Sequence, residues 1–160
     1  METKEAISLE NFSEVFFEVF PNFVGHPVFG DTDGYKDTPY LLAGVAGRSL
    51  SMMKPTKGLP RLNEEESLRV INWVNGLWND PSVTEDVKEM FWVEFLEPIN
   101  TDEHRNFLMK NLTDRANLNL RQYLYIVENG GLTDPKTGEI LKYIENKPSE
   151  RTGKYIGDIR

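Results

Sequence analysis

The chain contains no cysteine, so disulfide frameworks, thiol nucleophiles, cysteine-ligated zinc and iron–sulfur clusters are all excluded. Histidine is nearly as scarce, with only His26 and His104. Two imidazoles cannot by themselves assemble a zinc site, which needs at least three ligands, or a triad that needs an oriented base and a nucleophile. No apolar run approaches the ~20 residues of a membrane span. The opening Met1–Glu5 has neither the basic start nor the apolar stretch of a secretory signal, so a soluble, cytoplasmic protein is expected. Glycine patterns that cradle phosphates are missing too, because Ala43-Gly44-Val45-Ala46-Gly47 has no lysine and no preceding strand.

What is present is aromatic mass and acid. Nine Phe, six Tyr and three Trp within 160 residues are enough to build a core, and the length suits one domain. The formal charge is −8, unevenly spread: residues 1–103 hold −11 and residues 104–160 hold +3. Within the first part, residues 41–60 carry three bases and no acid. A field of this sign repels nucleic-acid phosphates and speeds association with cationic partners.

Periodicity predicts helices through most of the chain. Leu9, Phe12, Val15, Phe16, Val19 and Phe20 share one face of a helix near 9–20, with Ser8 as its N-cap and Pro21 at its end. Glu10, Glu14 and Glu18 form a solvated ridge on its other side. Thr38-Pro39 reads as an N-cap followed by proline in the first helical position. In the helix that follows, Ala43, Gly44, Ala46 and Gly47 thin one side, so another element is expected to pack close against its backbone. Asn63 and Glu66 have capping-box spacing ahead of the stripe Leu68, Val70, Ile71, Val74, Leu77 and Trp78. Ser82 and Glu85 repeat that spacing ahead of a helix that is apolar nearly all round, including Phe91 and Phe95, and that Pro98 ends. Asn100 and Glu103 cap a fifth helix, and a sixth runs to Gly130-Gly131. Asp134-Pro135-Lys136-Thr137-Gly138 is a turn sequence, which predicts a hairpin over about 131–145, with low order after Pro148. The fold expected is therefore mainly α: a single-domain bundle of five or six helices over residues 1–130, with a small C-terminal β-hairpin and tail over 131–160.

Several residues invite a chemical reading. Asp31 to Asp37 superficially resembles a calcium loop, but counting from Asp31 puts Tyr35 fifth, Lys36 sixth and Leu42 twelfth, where oxygen, glycine and glutamate are required. An acidic turn is expected instead. At about 100° per residue Glu94 falls between Met90 and Val87 on an apolar arc, so it needs a partner such as Arg69 or Arg105, or a raised pKa that would suit a general acid. His104, after Asp102 and Glu103, and His26, in a loop, read as solvated. Trp73, beside Asn72, Asn75 and Gly76, is either the edge of the core or an interface anchor. No metal site and no cofactor site is assembled.

The run Val28-Phe29-Gly30-Asp31, the segment Asp37-Thr38-Pro39-Tyr40-Leu41-Leu42, the stretch Asn63 to Trp78 and Val93-Glu94-Phe95-Leu96-Glu97 resemble a group of small, acidic, helical bacterial proteins associated with toxin–immunity loci. The resemblance spans about residues 28–115 and implies an inhibitor of a toxin. Its partner would be a cognate protein toxin with a basic surface, with no nucleic acid and no membrane involved. Acids of the first, third and fourth helices would supply the contacts, chiefly Glu64, Glu65, Glu66, Glu85, Asp86 and Glu89, with Trp73 as anchor. The competing expectation is an enzyme working through Glu94 or His104.

Overall fold

The computed structural model describes residues 5–54, 56–96, 98, 101–112 and 114–142. The described residues are mainly helical, with six α-helices among them: α1 Phe12–Val19, α2 Pro39–Arg48, α3 Glu64–Asn79, α4 Glu85–Phe91, α5 Asp102–Asn111 and α6 Asp114–Asn129. The chain falls into two compact units, residues 1–112 and 113–160. α6 thus groups with the C-terminal residues rather than with the five helices before it.

The first unit is organised around aromatic rings. Phe12 and Phe16 on α1 are 1% exposed, and the Phe16 ring contacts those of Phe12, Phe17, Phe20, Phe23, Phe29 and Trp73 at centroid distances of 5.1–6.2 Å. Phe91, fully buried, ties this cluster to the other helices through Phe12 at 5.6 Å, Trp78 at 6.1 Å and Phe95 at 5.5 Å. Edge-on and tilted pairs of this kind add to the burial of apolar area. Arg69, expected beside Glu94, instead lies 5.9 and 5.8 Å from the Phe20 and Phe23 ring centres, a cation–π placement.

The helix starts are set locally, though not always by the residue expected. Asn63 and Glu66 form the reciprocal capping box, each side chain accepting the other's backbone N–H at 2.8 Å. α1 begins at Phe12 with Asn11 as N-cap, and Ser8 donates its N–H to Asn11 Oδ1 at 2.9 Å. The N-cap of α4 is Thr84, while Ser82 closes a turn on the Asp80 carboxylate. Thr101 caps α5, accepting the His104 N–H at 3.0 Å, and Asn100 lies outside the described residues. Ile7 is held to the Ser82–Thr84 turn by two backbone hydrogen bonds and a parallel bridge to Val83.

The fourth helix is not continuous to Pro98 as its apolar pattern predicts. After Phe91 it widens into a π-helical turn, Trp92–Leu96. A π turn accommodates one extra residue and rotates the side chains that follow, so a phase counted at α-helical spacing fails there. α2 packs chiefly against this turn, and its thin side is the reason the two backbones meet. A β-carbon at Gly47 would overlap the Glu94 carbonyl oxygen, and one at Gly44 would overlap the Arg48 and Glu94 side chains. The close neighbour expected opposite Ala43–Gly47 is therefore the π turn.

The segment that leaves α2 has its carbonyls satisfied one after another. Ser49 O accepts from Leu62 N and Leu50 O from Met53 N. Arg61 donates to Ser51 O and Met53 O, and Thr101 Oγ1 donates to Met52 O at 3.3 Å. A loop can be held inside a fold only when its backbone groups find partners in this way.

In the second unit, Tyr125 and Leu141 are buried with Ile126 and Leu132 packed on them. The Tyr125 hydroxyl donates to Thr133 O at 3.0 Å. The predicted turn forms at Asp134–Gly138, and one antiparallel bridge joins Thr133 to Ile140 across it. No strand is present among the described residues, so the expected β-hairpin reduces to isolated bridge residues up to Lys142. The remainder of that expectation, and the low order anticipated after Pro148, fall outside them.

Candidate functional site

A concavity of about 670 Å³ lies between α1 and the loop from Val24 to Asp37. Glu14 and Glu18 stand one helical turn apart on α1, and Glu10 precedes them in the entering turn. Asp33 and Asp37 come from the loop, with Lys36 as the cation among the lining residues. Lys36 Nζ is 3.9 Å from Asp33 Oδ1 with both side chains well exposed, so the pair is weak. Five carboxylates thus line the concavity with one ammonium group, beside the apolar side chains of Phe17 and Val24.

The loop is anchored rather than free. Ser13, buried on α1, donates its hydroxyl to Tyr35 O at 2.7 Å, and the Tyr35 hydroxyl donates to Phe29 O at 3.0 Å. Burial pushes the Tyr35 phenol above its ordinary range. Asp31 accepts the Asp33 N–H, and Thr38 Oγ1 donates to Gly34 O at 2.9 Å. The acidic turn expected at Asp31–Asp37 therefore holds a short 3₁₀ turn, Thr32–Tyr35, and its Asp33 and Asp37 line the concavity together with the acids of α1. The ridge Glu10, Glu14, Glu18 is one wall of a groove whose other wall the spacing did not indicate.

The acids expected to make the chief partner contacts lie elsewhere, on α3 and α4. Glu64, Glu65 and Glu89 are exposed. Glu66 has structural work, since its Oε2 caps α3 and its Oε1 is 3.2 Å from His26 Nε2. Because His26 Nδ1 accepts the Val28 N–H at 3.1 Å, Nε2 carries the proton offered to Glu66. His26 is accordingly half-buried and paired rather than solvated. Glu85 Oε1 meets the buried Lys88 Nζ at 3.3 Å, and Asp86 Oδ1 binds the Thr84 hydroxyl and the Val87 N–H. Trp73 is half-buried, with its ring against Phe12, Phe16 and Phe20 at 5.5–5.8 Å.

Glu94 and His104 do not come together as an acid–base pair. Glu94, its side chain 13% exposed, is bonded through Oε2 to Arg48 Nη1 at 3.1 Å, so its partner is neither Arg69 nor Arg105. His104 is 1% exposed, and neither ring nitrogen has a hydrogen-bond partner among the described residues. Burial without a partner lowers its pKa to about 4, leaving the imidazole neutral. The solvated histidine expected at the start of α5 is instead sealed into the interior. Nothing in the α5 pattern signalled this, because Asp102, Glu103 and Arg105 beside it all read as surface.

Among the described residues no three of His, Asp and Glu converge closely enough to hold a metal ion. No helix formed by them is long and apolar enough to cross a membrane. Comparison with protein-family models, with curated proteins and with solved structures gave no match. The reading of function therefore rests on this chain's own geometry.

Proposed function

We propose that this protein is a binding module for a cationic protein surface, acting as an immunity-type inhibitor that neutralises a cognate toxin by covering its basic face. The observation that carries the reading is the groove between α1 and the Thr32–Tyr35 turn, lined by Glu10, Glu14, Glu18, Asp33 and Asp37 against Lys36 alone. Charge of one sign in a concave setting focuses the field and raises the rate of encounter with a partner of the other sign. Phe17 and Val24, which line the same groove, would take the aliphatic stems of the partner's lysines or arginines, whose heads meet the acids. The exposed Glu64, Glu65 and Glu89 extend the same sign of charge beyond the groove. The enzyme alternative finds less support, because Glu94 is committed to Arg48 and the His104 ring is closed off from solvent.

The test uses the protein encoded by the reading frame next to this chain's gene. Association rates are measured at low and at physiological salt for the wild type, for Glu14→Lys/Glu18→Lys/Asp37→Lys, and for Glu65→Lys/Glu85→Lys/Glu89→Lys. The wild type should associate on the order of tenfold more slowly at the higher salt. The groove variant should lose both the fast rate and its salt dependence. Equal rates for the groove variant and the wild type would remove the groove from the interface. Equal rates for all three proteins would refute the electrostatic reading altogether.

A further inference from the structure

Against the acidity of the first unit, residues 41–61 carry Arg48, Lys54, Lys57 and Arg61 and no acid. A second, smaller pocket of about 280 Å³ opens here, lined by Val28, Val45, Arg48, Ser49, Thr56, Leu59, Pro60 and Arg61. Two arginines therefore line the pocket together with apolar residues and two hydroxyl side chains.

The charges of the two arginines are not equally satisfied. Arg48 is neutralised by Glu94 at 3.1 Å. Arg61 donates from Nη1 and Nη2 to the carbonyls of Ser51 and Met53, which are neutral acceptors, and no carboxylate pairs with it among the described residues. A guanidinium has five N–H groups, so three of Arg61's remain after these two bonds. Two cations less one carboxylate leave about one positive charge at the pocket. Leu59, 65% exposed, stands at the pocket with the exposed Pro60 and the half-buried Val28 and Val45.

We propose that this pocket binds a small amphiphilic monoanion, a carboxylate joined to a short apolar body. The surplus of one charge matches a carboxylate better than a phosphate dianion. A guanidinium fork pairs with a carboxylate oxygen for oxygen, and the valines, Leu59 and Pro60 take up the hydrocarbon. The volume holds about nine groups the size of a water molecule, which suits an acid of six to eight heavy atoms or slightly more.

The test is a titration of the ¹⁵N-labelled full chain at constant ionic strength with three probes: hexanoate, inorganic phosphate as head without body, and 1-hexanol as body without head. The backbone amide signals of Ser49, Thr56, Leu59 and Arg61 should shift saturably with hexanoate at a Kd of about 1 mM. Phosphate and hexanol should bind at least about tenfold more weakly. Leu59→Asp, which places a like charge at an exposed position and leaves the core untouched, should weaken hexanoate by about tenfold or more while the other amide signals keep their positions. Arg61→Gln, read the same way, checks the guanidinium itself. The proposal is overturned if hexanoate moves none of these signals up to ~20 mM, or if it shifts another face instead. It is equally overturned if phosphate binds as tightly as hexanoate, or if Leu59→Asp leaves the affinity unchanged.

Discussion

The carbonyl oxygen of Glu94 rests against the α-carbon of Gly47, so close that a β-carbon at position 47 would overlap it. The contact joins two backbones from distant parts of the chain, α2 and the π turn. One turn earlier on α2, Gly44 lies beneath the Arg48–Glu94 ion pair, where a β-carbon would displace both side chains. The two glycines thus hold different things in place, backbone in one case and flexible side chains in the other.

Gly47→Ala should consequently lower stability by about 1–3 kcal/mol, because the obstructing atom is backbone and cannot rotate away. Alanine's intrinsic advantage in a helix, about 1 kcal/mol, works in the opposite direction and will not reverse the sign. Gly76, exposed within α3 with nothing near its missing β-carbon, provides the control: Gly76→Ala should raise stability by about 0.5–1 kcal/mol. Urea unfolding of both variants checks this, and a stabilised Gly47→Ala would contradict the packing of α2 on the π turn.

His104 makes stability depend on pH in a definite direction. Its folded-state pKa is lowered to about 4 by burial, against the ordinary 6.5 in the unfolded chain. As pH falls the unfolded state takes up the proton first, so stability is withdrawn between about pH 6.5 and 4 and this group withdraws no more below that. The full loss is about 3 kcal/mol, at 1.36 kcal/mol per pKa unit. Between pH 7.5 and 4.5 the wild type should lose about 2–3 kcal/mol more than His104→Leu, measured by urea midpoints at the two pH values. Equal losses would mean that the ring is hydrogen-bonded or hydrated in solution.

Phe91 sits where α1, α3 and the π turn meet, with its ring against Phe12, Trp78 and Phe95. Phe91→Ala should cost about 3–5 kcal/mol, the usual cost of an aromatic cavity in a core that cannot collapse. Val93→Ala, at an exposed position on the π turn, should change stability by no more than about 0.5 kcal/mol. An unchanged denaturation midpoint for Phe91→Ala would show that the aromatic cluster is not the centre of the first unit.

The residues alone determined the features that depend on neighbours three or four positions away. The Asn63–Glu66 capping box, the apolar stripe of α3, Pro39 opening α2 and the turn at Asp134–Gly138 are all short-range hydrogen-bonding or steric patterns, and each forms at its expected place. Even the close approach to Ala43–Gly47 was legible, since consecutive small residues on a helix leave a space that something must fill. Which element fills it was not, and neither was the partner of Glu94, because Arg48 lies 46 residues away in sequence and meets it only through the packing of α2 on the π turn. The same reason hid the acidic groove, whose two walls were visible separately as a ridge on α1 and an acidic turn. It also hid the burial of His104, whose polar neighbours in sequence point one way while tertiary packing seals its ring. Helical periodicity says which face of a segment is turned inward, but charge pairing, cavities and pKa values arise between faces, and only the folded chain decides which faces meet.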